Sequence, residues 1–230
     1  LDRIDDMMPT AWEEVDGTAV AMGLRTAAGA GGSADIEWNV GSDLGLPDGM
    51  ATYISYTPQA DGSKNTNKAF SGASAATDGY GMDIVVTHSG LADGLNVFAG
   101  YSNISQVSRI GDRTAHAFGA TYAVGGITLG YQYSSDNNPG TTGDTADMYE
   151  NNAYGISFAV NDDLSISYGY HESEQHQDDA SNITLEGTSI QASYTVGGAS
   201  IKFAETSVDN QKYQSGTNRD GRTIALTLAF

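Results

Sequence analysis

Segments with a period of two, joined by connections that alternate strictly between short and long, limit this chain more than any other feature. Counting from residue 34, apolar side chains recur at every second position in about eleven segments: residues 34–40, 50–57, 80–88, 95–102, 115–124, 127–134, 153–160, 164–171, 189–196, 200–206 and 222–230. The connections at 42–49, 89–94, 125–126, 161–163 and 197–198 are short and carry turn chemistry. Those at 58–79, 103–114, 135–152, 172–188 and 207–221 are longer and rich in Asp, Asn, Ser, Thr and Gly. A sandwich with Greek-key crossovers has no reason to keep that parity. An up-and-down barrel, with tight turns at one rim and longer loops at the other, produces it directly. The expected fold is therefore all-β: a transmembrane up-and-down antiparallel β-barrel, with residues 33–230 as its strands, turns and loops.

The two faces of each segment support a wall between oil and water. Ile127, Leu129, Tyr131 and Tyr133 lie on one side of their segment, and Tyr154, Ile156, Phe158 and Val160 on one side of the next. Ile166 and Tyr168 continue the pattern, and the chain finishes with Ile224, Leu226, Leu228 and Phe230. The opposite sides carry Thr128, Gly130, Gln132, Ser165, Ser167, Gln191 and Ser193, which are too small and polar to fill a dry core. Tyrosines cluster at the ends of the oily faces, where an interfacial girdle requires them. Only 39% of residues are apolar, with no run near the roughly 18 that a membrane helix needs, so strands must do any crossing. A compact soluble domain would instead bury Ile127, Leu129, Ile156, Phe158, Ile166 and Leu226 together.

A net charge of −19 with 10 basic residues excludes nucleic acid as a partner and makes cations the natural guests. With no Cys, disulfides and thiolate metal sites are ruled out. Residues 1–32 do not alternate. They carry Asp2, Asp5, Asp6, Glu13, Glu14 and Asp16, with Pro9 placed to open a short helical turn and Gly29–Gly32 as a flexible exit. This stretch reads either as a solvated acidic loop or as a functional one, and residues 18–27 read either as loop or as a further strand. The parity of the connections puts the C-terminus at the short-turn rim and residues 1–32 at the long-loop rim. A closed barrel then implies an odd number of strands ahead of Leu1.

On this rhythm, the terminal Phe230 and the acidic run Asp5-Asp6-Met7-Met8-Pro9-Thr10-Ala11-Trp12-Glu13-Glu14, the chain resembles the general diffusion porins of Gram-negative outer membranes, in particular the alphaproteobacterial type. The acidic run looks like part of the loop that folds into such barrels as a constriction. The resemblance implies a barrel of about sixteen strands, eleven of them in this chain, located in the outer membrane and assembled as a homotrimer. It further implies passive diffusion of small hydrophilic solutes and ions, contact with outer-membrane lipid and lipopolysaccharide, and no cofactor. The six acids named above become the pore constriction, with Asp35, Glu37, Lys202 and Arg222 as pore wall; the acidity suggests a preference for cations.

Two other classes compete. A barrel-borne hydrolase would need one of His88, His116, His171 or His176, but no Gly-x-Ser-x-Gly nucleophile motif occurs and each His is expected at or beyond a strand end. A soluble or surface-exposed acidic β protein could bind calcium in its loops through Asp136, Asp144, Asp147 and Glu150, or through Asp178 and Asp179, although no spacing matches a calcium motif.

Overall fold

The computed structural model describes residues 22, 36–40, 45–58, 78–106, 111–137, 148–177 and 180–228. Its strands are β1 (Ile36–Val40), β2 (Met50–Thr57), β3 (Asp78–Ser89), β4 (Leu95–Gln106), β5 (Arg113–Val124), β6 (Ile127–Asn137), β7 (Met148–Ala159), β8 (Leu164–His176), β9 (Ile183–Val196), β10 (Ala199–Asp209) and β11 (Arg219–Leu228). They form one 11-stranded antiparallel sheet in strict sequence order, each strand paired to the next, as an up-and-down barrel wall requires. Among the described residues no helix is long and apolar enough to cross a membrane, and this says nothing of strands.

The turns follow from local chemistry. Val124-Gly125-Gly126-Ile127 and Val196-Gly197-Gly198-Ala199 close two-residue hairpins in which Gly125 and Gly197 have φ of 59° and 56°, a conformation that a Cβ disfavours. At the β7–β8 turn the Asn161 side chain accepts from the backbone N–H groups of Asp163 and Leu164 at 2.9 and 2.8 Å, replacing ladder bonds that the turn cannot make.

Registration keeps each side's chemistry continuous from strand to strand. Trp38, Ile54 and Ile84 are direct neighbours across β1, β2 and β3; Leu129 and Ile156 pair across β6 and β7, as do Phe203 and Ile224 across β10 and β11. Ile156, Phe158, Ile166 and Leu226 are exposed rather than gathered in an interior, so the soluble-domain alternative fails. Above the apolar rows the aromatics form a course of tilted pairs: Phe118 lies beside Tyr133 at 5.2 Å, Tyr131 beside Tyr154 at 5.1 Å and Tyr154 beside Tyr170 at 6.1 Å between ring centroids. Their hydroxyls reach toward the long-loop rim, Tyr131 donating to Asn152 at 3.0 Å and Tyr133 to Glu150 at 2.6 Å. A ring in the apolar band with its polar tip in the next row is the interfacial arrangement.

Two details differ from expectation. The strands overrun the anticipated loops: β9 is 14 residues long and β8 continues to His176, well past the expected end at residue 171. Backbone ladder bonds need no apolar side chains, so pairing persists where Glu, Ser and Gln have erased the alternation. The small-residue face also holds an apolar cluster, Val85, Phe98, Ala115 and Ala117 with Tyr53 against it. Phe98 fits because Gly119 is beside it: a Cβ on Gly119 would stand 2.5 Å from the Phe98 ring and 2.3 Å from the Tyr131 carbonyl oxygen. Gly119→Val should therefore destabilise the wall by about 1–3 kcal/mol through overpacking, read as a lower unfolding temperature in detergent. An unchanged unfolding temperature would show that Phe98 moves aside freely.

Candidate functional site

Among the described residues the small-residue face is the candidate surface for polar traffic, and it divides into two halves. Near the short turns, Ser157, Ser165, Ser167, Gln191, Ser193, Thr195, Ser200 and Thr223 are hydroxyl or amide bearing. All of these but Thr195 and Ser200 line a shallow recess of about 450 Å³, and Lys202 lines it too. Lys202 sits on this face by register, between Ser193 and Ala225, and is exposed. Lys202 was expected on the pore wall, and its register places it on the small-residue face, without bearing on its role there.

Toward the long loops the same face is buried. Arg113 on β5 grips Asp136 on β6 with two parallel bonds, 2.9 Å to one carboxylate oxygen and 2.6 Å to the other, and the two side chains are only 12% and 2% exposed. Such a fork fixes both partners in position as a single salt bridge through one oxygen does not. On the neighbouring strands, Asn151 (β7), His171 (β8) and Ser189 (β9) are all nearly inaccessible. The His171 Nε2 is 3.5 Å from the Asn151 Oδ1, so this histidine lies within β8, not at the strand end that the sequence suggested. Further toward the rim, Met22, Tyr149, Leu185, Val208 and Tyr213 form a second apolar cluster. Ser173 and Tyr213 share a 2.6 Å hydroxyl contact there, and Gln175 donates to the Tyr149 hydroxyl at 2.8 Å.

Of the residues singled out from sequence, Asp2, Asp5, Asp6, Glu13, Glu14, Asp16 and Asp35 lie outside the described residues, as do residues 18–27 except Met22, which belongs to no strand. Glu37 is on the small-residue face, opposite Ser55, whose other neighbour is Asp83. Arg222 is not. It shares its face with Ile224 and Leu226, pairs with Glu205 at 2.8 Å, and lies 5.9 Å over the Phe203 ring. An odd–even slip explains the difference, because 222 has the parity of the apolar positions and not of Ala225 and Thr227.

Asp83, Arg113, Asp136 and Arg219 were missed as wall residues. A charged residue alternating with Met82 and Ile84 was a readable signal for Asp83, whereas Arg113 and Asp136 fell in stretches read as loop. By register the charged side chains on this face are Glu37, Asp83 and Asp136 against Arg113, Lys202 and Arg219, so the described wall is balanced. The carboxylates of Glu150, Glu172, Glu174 and Glu186 stand on the other face, beyond the tyrosines. Asp136 and Glu150 are thus on opposite faces and cannot share an ion; Asp144, Asp147, Asp178 and Asp179 lie outside the described residues. Among the described residues no three His, Asp or Glu side chains converge as a metal site.

Residues 2–211 match the family model of the Gram-negative porins. No curated protein sequence matches the chain. Among solved structures, the fold is similar to OmpF of Salmonella typhi in complex with daunomycin (17% identity, TM-score 0.60, covering 84% of this chain and 61% of that one). It is similar too to an anion-selective porin from Comamonas acidovorans (16% identity, TM-score 0.65, 97% and 72%). The outer-membrane channel DcaP of Acinetobacter baumannii matches at 13% identity and a TM-score of 0.57, over 91% and 68% of the two chains. The chain thus spans less than two thirds of the length of the OmpF structure.

Proposed function

The chain belongs to the Gram-negative porin family of the outer membrane, and from that premise we propose that it lines a water-filled passage for small hydrophilic solutes and ions that prefers cations. The observation that carries the channel is the division of faces: exposed apolar rows on one side, hydroxyls, amides and balanced charge on the other. Passive diffusion needs no catalytic group, and we assign none.

Selectivity is not carried by the fold, since one structural neighbour is described as anion-selective. Nor does the balanced wall favour either sign. The preference is assigned to Asp2, Asp5, Asp6, Glu13, Glu14 and Asp16, whose charges in a narrow passage would concentrate cations and oppose anions. Connectivity supports that assignment. Asp16 is six residues from Met22, which is buried against the small-residue face, and six residues reach at most about 22 Å.

The reversal potential across a planar bilayer with a salt gradient tests the proposal. Wild type should give a cation-selective potential, and Asp5→Asn, Asp6→Asn, Glu13→Gln and Glu14→Gln together should move it toward zero. An anion-selective wild type would overturn the preference and leave the channel standing. The partners proposed with this reading are the permeating solutes and ions, lipid and lipopolysaccharide on the outward face, and two further copies in a homotrimer.

A further inference from the structure

Five strands meet around the recess near the short turns, and the side chains they bring there suit one kind of solute. Ser157 (β7), Ser165 and Ser167 (β8), Gln191 and Ser193 (β9) and Thr223 (β11) line it with hydroxyls and an amide. Register gathers them: Ser157 faces Ser167, Ser167 faces Gln191, and Ser165 faces Ser193, whose other neighbour is Lys202 of β10. Ala204 and Ala225, beside Lys202, are too short to cover its ammonium. The volume of about 450 Å³ falls within the roughly 300–1,000 Å³ of small-ligand sites.

No carboxylate lines the recess, although the chain carries 29 acidic residues against 10 basic ones. The acids nearest in sequence are placed elsewhere. Glu205 is on the other face and bound to Arg222 at 2.8 Å, and Asp163 belongs to the β7–β8 turn, outside the lining. One inward position beyond Gln191, Ser189 is 1% exposed and its Oγ has no partner among the described residues; Gly169, opposite it, adds no side chain. The edge of the recess thus carries a polar demand that the wall itself does not meet.

We propose that this recess is a resting site for small polyhydroxylated carboxylates, the sugar acids, with Lys202 holding the carboxylate and the serines, Thr223 and Gln191 exchanging hydrogen bonds with the hydroxyls. One ammonium matches one negative charge, and as a compact point charge it requires no planar partner. Each hydroxyl and amide of the lining both donates and accepts, as a polyol needs. The recess is shallow and wet, so the hold is weak. A passage requires that, because a solute must bind well enough to enter and loosely enough to leave. The inference rests on the channel reading and refines it: a cation-preferring passage gains a place where an anionic solute pauses.

Current fluctuations of the intact protein in planar bilayers, at constant ionic strength, test this. Gluconate should interrupt the current in a saturable way, and glucose, which lacks the charge, and acetate, which lacks the hydroxyls, should do so less at equal concentration. Losing an exposed charge contact shifts an equilibrium by up to about 5-fold, so Lys202→Gln should raise the gluconate concentration for half-block by about that factor. Lys202→Arg keeps the charge and should stay within about 2-fold of wild type. Lys202 is exposed, so neither variant threatens folding. Glucose 6-phosphate should block no better than gluconate, since its second charge finds no cation in the lining. Gluconate block that is absent, matched by glucose or acetate, or unchanged in Lys202→Gln would overturn the site and leave the channel standing. Stronger block by glucose 6-phosphate would overturn its assignment to sugar acids. Absence of any conductance from wild-type protein would instead sink the channel reading on which it rests.

Discussion

Arg113→Met is expected to weaken the folded wall by about 3–5 kcal/mol, because it strands the Asp136 carboxylate in a site that is 2% exposed. The cost arises from the asymmetry of the change. A buried ion pair contributes little over a matched apolar pair, but a lone buried charge loses both its water and its partner. Arg113→Met with Asp136→Leu should accordingly recover most of the loss, and comparing the double with each single variant isolates the coupling. The measurement is the temperature at which the folded species disappears on semi-native gels. If Arg113→Met alone melts with wild type, water reaches Asp136 and the long-loop half of this face is wetter than its burial indicates.

Ile156→Arg should have a comparable effect by a different route. Ile156 is 41% exposed on a face where Leu129 and Tyr168 are its cross-strand neighbours, and its exposure is to hydrocarbon in the membrane. A guanidinium placed near the middle of a lipid-facing band costs about 2–4 kcal/mol, falling toward zero at the interfaces. The same substitution at Ser157, one residue along, turns the charge toward water and should be tolerated in folding. Refolding yield into lipid vesicles distinguishes the two. Equal yields from Ile156→Arg and Ser157→Arg would mean that the faces are assigned the wrong way round.

The sequence carried the architecture further than the site. Strand number, strand order and which residues face lipid were legible because each hairpin repeats one physical constraint, alternation between oil and water. Where that constraint ends, reading failed in predictable ways. Residues 172–176 and 183–188 look like loop because Glu, Gln and Thr occupy both faces, yet the ladder continues through them. Arg113 and Asp136 were lost for the same reason: neither shows alternation, and their bidentate contact joins residues 23 apart in sequence. Arg222 shows the opposite failure, since a basic residue drew attention by its charge while its parity placed it among the apolar positions. Met22 carried no readable signal, because nothing in the sequence connects it to a turn beginning at residue 211.

The overrun of the strands has a geometric outcome for whatever approaches from outside. From Tyr170, at the edge of the oily band, β8 runs six more residues to His176, roughly 20 Å of paired backbone. That parapet is held up by backbone hydrogen bonds to the strands beside it and owes nothing to the thickness of the bilayer. A thinner or more fluid leaflet would leave it standing, so the forecourt in which solutes are first sampled keeps its shape while the lipid around its base changes.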